Sequence, residues 1–88
     1  MKTFYDLMFI PTGKMMQAIL RFKNGYGVSV LCGPETISDD RHPYELAVIH
    51  FNSEGSFSIV YPSFTDNDTL GHLDEADVTR YMELVQSL

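Results

Sequence analysis

Between Met16 and Cys32 apolar and polar residues alternate on both sides of an Asn24-Gly25 pair. That pattern predicts a β-hairpin, because Asn and Gly tolerate positive φ at low cost. Two loops compete. A two-residue loop (Asn24, Gly25) sets Leu20 opposite Ser29 and Arg21 opposite Val28, which mixes both faces. A three-residue loop (Lys23, Asn24, Gly25) with Gly25 in the left-handed region pairs Phe22 with Tyr26, Leu20 with Val28, Ala18 with Val30 and Met16 with Cys32. One face is then wholly apolar. A slip of one residue would turn every side chain to the wrong face, so the three-residue loop is the expected one.

Residues 44–51 read as a third strand, apolar on both faces as in a sheet interior. Asn52-Ser53-Glu54-Gly55 is turn chemistry. Residues 57–61 read as a fourth strand ended by Pro62, which makes a second hairpin. The last element is a helix. Asp74 is its N-cap and Asp77 sits at N3, a capping-box variant. Leu73 is placed to pack on Val78 across the helix start, and Val78, Tyr81, Met82, Val85 and Leu88 form one apolar stripe. The arm 2–10 is too apolar to float free. It reads equally as a fifth strand, a short helix or an arm against a second copy, with a turn at 11–14 after it. The expected organisation is an arm or extra strand at 1–14 and a single domain at 15–88. The expected fold class is α+β: an antiparallel sheet of four strands, five with the arm, built from two hairpins in chain order and packed on one C-terminal helix. One helix covers one face. The second face therefore buries the arm or another subunit, with Phe4, Tyr5, Leu7 and Phe9 as the dimer contact.

The chain has 88 residues, 44% hydrophobic and 12% aromatic, which bounds it to one small folded domain. Its formal charge is −6. The first 33 residues are net basic through Lys2, Lys14, Arg21 and Lys23, and the remainder is strongly acidic. Acids gather in the loops 33–43 and 62–73 and at the helix start. Solubility alone accounts for such a balance, and an acidic face for a basic partner is the functional alternative. The candidate partner-binding residues are Glu35, Asp39, Asp40, Arg41, His42, Asp66, Asp68, Asp74 and Glu75.

Catalytic patterns are absent from the sequence. There is no Gly-rich phosphate loop of the GxxxxGK[ST] or GxGxxG kind. His42, His50 and His72 lack the company a zinc site needs, and Asp66-Asn67-Asp68 lacks the Gly and distal Glu of a calcium loop. Cys32 falls on the apolar hairpin face, where a thiol is inert. The expectation is a non-enzymatic protein with no cofactor and no metal. The opposing class, a small enzyme or ligand binder using His42, His72 and the loop aspartates, requires those residues to converge on a pocket. Nucleic-acid binding is disfavoured by charge, with Arg21, Lys23 and Tyr26 at the hairpin tip as a small exception. No apolar run spans a membrane, the N-terminus has no signal-peptide pattern, and a single cysteine fits a reducing interior.

The runs Asn24-Gly-Tyr-Gly-Val-Ser-Val30, Tyr44-Glu-Leu-Ala-Val-Ile49, Leu70-Gly-His-Leu73 and Asp74-Glu-Ala-Asp-Val78 resemble a family of small accessory proteins encoded by bacteriophages and prophages. The resemblance covers residues 17–88 and carries no catalytic residues. It implies a protein made in the cytoplasm of an infected bacterium. Many such proteins bind a host protein, including inhibitors of CRISPR-Cas and other anti-phage defences, some by mimicking nucleic acid. A self-assembling structural or regulatory phage module is the other reading, with a homodimer as its first partner.

Overall fold

The computed structural model describes residues 1–34, 41–65 and 70–88. Its hairpin register is the three-residue one. Strand β2 (Met15–Arg21) pairs antiparallel with β3 (Tyr26–Cys32), Met16 opposite Cys32, Ala18 opposite Val30 and Leu20 opposite Val28. The Phe22 amide donates to the Tyr26 carbonyl at 2.7 Å, and Gly25 takes φ 87°. The second hairpin repeats this loop. Strand β4 (Tyr44–Phe51) turns through Ser53-Glu54-Gly55 into β5 (Phe57–Ile59), with Gly55 at φ 86°. Asn52 Oδ1 accepts from the Glu54 and Ser56 amides and holds that turn.

The arm is both short helix and strand. A 3-10 helix (Phe4–Asp6) is followed by β1 (Ile10–Thr12), which pairs with β2 across a tight turn at Gly13-Lys14. The expected turn at 11–14 is therefore shorter, because Pro11 and Thr12 belong to the strand. A sixth strand, β6 (Leu70–Leu73), lies where the sequence reads as loop. Both β5 and β6 pair with β4, β5 at Ile49–Phe51 and β6 at Tyr44 and Leu46, so they form one interrupted edge. Six strands thus replace the expected four or five, in the chain order β1-β2-β3-β4-β5. Gly71 and His72 both fall opposite Glu45 in a bulge, and His72 holds φ 57° there.

Helix α1 (Glu75–Gln86) packs on β3, β4, β6 and the 3-10 helix. Val78, Met82 and Val85 meet Phe22, Val28, Val30, Leu46, Val48 and Leu73 in the core. At about 1.5–3 kcal/mol per fully buried large apolar side chain, this layer is the chief source of stability. Phe4, Leu7 and Phe9 pack against the same core. The arm therefore widens the helix layer and does not cover the second face of the sheet.

Candidate partner-binding surface

Pairing of Tyr44 with Leu73 brings the start of β4 beside the start of α1. The helix start is built as the spacing predicts. Asp74 Oδ1 accepts from the Asp77 amide at 2.8 Å, and Asp77 Oδ2 accepts from the Asp74 amide at 3.1 Å. The Asp77 amide is the main reason the Asp74 carboxyl lies below the usual carboxylate range. The Asp77 side chain, nearby His42 and the Ala76 amide act in the same direction, against partial desolvation. His42 and Asp74 are thus brought together. Glu75 is exposed in the first turn, next to the Tyr44 phenol. Burial, then the charge of Glu75, push that phenol up.

Tyr44 anchors an aromatic cluster. Its ring lies 5.0 Å from Phe4 and 5.8 Å from Phe9, and Tyr5 stacks edge-on to Phe4 at 5.4 Å. Phe4, Leu7 and Phe9 are half-buried against their own core, whereas Tyr5 and the neighbouring Met8 are each 84% exposed. The arm that presents them is pinned along the helix. Thr79 Oγ1 accepts from the Phe4 amide, and Gln86 exchanges two hydrogen bonds of 2.8 Å with the Lys2 backbone. Thr3 and Asp6 form a second capping box on the 3-10 helix. The Thr3-x-x-Asp6 spacing announces that cap in the sequence just as Asp74-x-x-Asp77 does. Sequence reasoning missed it, and with it the display of Met8.

Of the remaining expected binding residues, Arg41 is exposed on the segment leading into β4. Glu35, Asp39, Asp40, Asp66 and Asp68 lie outside the described residues. His50 packs edge-on to Tyr26 at 4.7 Å. Cys32 is a free, half-buried thiol whose pKa burial raises, so it is a poor nucleophile at neutral pH. Among the described residues no group of three His, Cys, Asp or Glu side chains is placed to hold a metal ion.

Lys2, Arg21 and Lys23 line a cleft of about 600 Å³ with Asp6 and Phe22, between the arm and the hairpin tip. Its Asn24 and Gln86 amides are spent on the fold, Asn24 Nδ2 donating to the Val85 and Leu88 carbonyls. Arg21 lies over the Phe51 ring at 5.3 Å. Three cations beside one acid, close to a helix C-terminus, complement that end of the helix dipole and fall short of a phosphate-tracking surface. A smaller cleft of about 180 Å³ lies at Tyr26, Val60 and Pro62. Neither cleft is lined by His42 or His72.

The fold and this surface define an α+β sheet-and-helix domain with an aromatic, acidic end. No protein-family model, curated protein or solved structure matches the chain. No helix among the described residues is long and apolar enough to cross a membrane.

Proposed function

We propose that this protein is a non-enzymatic binder that docks its aromatic, acidic end on a basic surface of a host protein. One observation carries the reading: Tyr5 and Met8 stand exposed on an arm pinned to the helix, around the acidic start of that helix. Tyr and Met are enriched at interfaces, and an arm whose backbone is already pinned lowers the entropy cost of association. Asp74 and Glu75 then steer and orient a cationic partner. The resemblance to phage and prophage accessory proteins supplies the setting. The host protein is a component of an anti-phage defence such as CRISPR-Cas, met in the cytoplasm of the infected bacterium.

The test is phage plating on a host with active CRISPR-Cas immunity, with and without this protein expressed. Plating is expected to rise by orders of magnitude. Unchanged plating on hosts carrying CRISPR-Cas and on hosts carrying other defences would remove the defence-inhibitor reading. In a binding assay, affinity is expected to fall with added salt, as for any contact steered by exposed charge.

A further inference from the structure

The two ends of the strand order are finished differently. At one, Pro11 stands in the middle of β1, and a proline offers no N–H to a neighbouring chain. At the other stands β5. The Asn52 amide donates to the Ser56 carbonyl at 2.8 Å and the Val60 amide to the Val48 carbonyl at 2.9 Å, with Ser58 opposite His50 between them. Ser56, Ser58 and Val60 therefore turn their backbone groups toward β4. Bonding alternates along a strand, so Phe57 and Ile59 turn their N–H and C=O groups away from β4. Among the described residues no strand lies beyond them. Their side chains are 41% and 43% exposed. Residues 55–65 contain no charged side chain, and residues 56–61 contain no glycine or proline. This edge combines high β-propensity with none of the charges or prolines that keep edges apart.

We infer that a second copy of this chain pairs with β5, edge to edge and antiparallel, about a two-fold axis at Ser58. The register follows from the strand. With Ser58 opposite the partner's Ser58, each β5 overlaps the other completely, and Phe57 faces the partner's Ile59. Both residues of that pair direct their backbone groups across the seam, so they exchange both N–H···O=C bonds, and symmetry repeats the exchange on the other side of the axis. A slip of one residue would set an outward-facing residue against an inward-facing one. The axis is perpendicular to the sheet, so both helices lie on one side. There α1 packs on β3, β4 and β6, back from the seam, and the small Ser58 side chains meet. On the other side Phe57 lies beside the partner's Ile59, an aromatic–β-branched pair of the kind that stabilises sheets. Two observations select this occupant. The chain carries −6 and its copies repel over most of their surface, but the uncharged run 55–65 lets them approach here. An extended peptide of another protein would gain the same backbone bonds, but strand-addition sites read peptide side chains with pockets along the edge. Neither cleft described above is lined by Phe57, Ser58 or Ile59. A second copy needs no pocket, because Phe57 and Ile59 of the two copies cover each other. So short a seam falls below the standard interface size, which makes the dimer weak and reversible. It uses none of Tyr5, Met8, Asp74 and Glu75, and it is independent of the proposed host partner.

Sedimentation equilibrium and amide hydrogen exchange of the full chain over a dilution series test the inference. The expected mass rises with concentration from 10.0 kDa toward twice that value, within the range up to about 1 mM where weak contacts are populated. Exchange at the Phe57 and Ile59 amides is expected to slow as the mass rises, while that at Ser58 stays unchanged. Ile59→Pro removes an N–H that points away from β4, so it is expected to keep the wild-type circular dichroism and to weaken dimerisation by about tenfold or more. Ile59→Thr keeps that N–H and a β-branched side chain, and is expected to weaken it by about threefold at most. Ile19→Glu, on the face of the sheet turned away from α1, is expected to leave it unchanged. A monomer at every concentration up to about 1 mM would overturn the inference and leave the edge to a strand of another protein. A dimer that forms without protecting Phe57 and Ile59 would also overturn it. So would a dimer that Ile59→Pro spares and Ile19→Glu abolishes, which would place the contact on the sheet face. If Ile59→Pro loses its fold, the wild-type exchange pattern still decides.

Discussion

Asn24 ties the hairpin turn to the end of the helix, and two substitutions separate those roles. Its Oδ1 accepts from the Tyr26 amide at 3.1 Å and holds the turn. Its Nδ2 donates to the Val85 carbonyl at 3.0 Å, in a partly buried setting, and to the exposed Leu88 carbonyl at 3.2 Å. With a net worth of about 1 kcal/mol for the partly buried bond and less for each of the others, Asn24→Ala is expected to cost about 2 kcal/mol. Asn24→Asp keeps the acceptor but removes both donors. It also places a carboxylate at the negative end of the helix, a cost that Lys2, Arg21 and Lys23 beside it offset only in part. Its cost is expected to be about 2–3 kcal/mol, equal to or above that of the alanine variant. If the turn alone mattered, aspartate would serve almost as well as asparagine. Urea unfolding followed by far-UV circular dichroism reads the difference. With m of about 1 kcal/mol/M for a small domain, the midpoint should fall by about 2 M at unchanged m. That is a large part of the roughly 5–10 kcal/mol total stability of a domain this size. An Asn24→Asp variant within about 0.5 kcal/mol of wild type would refute the tie to the helix.

Three further outcomes are expected. Met82 is fully buried at the centre of the helix–sheet contact, so Met82→Ala should cost about 2–5 kcal/mol in the same assay; a loss below 1 would mean the core is not packed as described. At Gly27 a Cβ would collide with the Leu20 carbonyl oxygen and come within 3.0 Å of Phe51 Cε2, so Gly27→Ala should cost about 2–4 kcal/mol in a thermal melt, and a neutral result would contradict that close approach. Because folding lowers the Asp74 pKa, its cap stabilises the fold fully above the ordinary aspartate pKa, and that contribution disappears as pH falls through the lower folded value. Between pH 7 and pH 2 the difference in melting temperature between wild type and Asp74→Ala should therefore shrink; a constant difference would show that the carboxylate charge plays no part.

The parts of the fold legible in the sequence are those where neighbouring residues decide the outcome. Only one register puts Phe22, Leu20, Ala18 and Met16 on the same face as Tyr26, Val28, Val30 and Cys32, and that register is the one found. The helix start was legible because Asp74 and Asp77 bond to each other's amides across a single turn. Strand β6 was not. Leu70-Gly71-His72-Leu73 is short, contains a glycine and holds His72 in the left-handed region, so its local signals are those of a loop. Its strand state comes from the free edge of β4, a partner 24 or more residues away. The arm was ambiguous for a similar reason. Its side chains suit a helix or a strand, and Thr79 and Gln86 on the distant helix hold it in place. The candidate surface was read in part: Asp74, Glu75 and His42 share one end of the molecule, whereas the exposure of Met8 depends on which arm residues the core takes up.

Binding of a host protein at the end carrying Tyr5 and Glu75 is the central proposal. The most direct measurement is a quantitative affinity capture from the bacterial host with mass spectrometry, comparing wild type with the doubly substituted Tyr5→Ser, Glu75→Lys variant. Tyr5 is exposed and Glu75 lies on the first turn of the helix, so the variant should keep its fold, as circular dichroism will check. The expected result is a defence-system protein retained by wild type and reduced about tenfold or more with the variant. Identical captured proteins in identical amounts would contradict the claim.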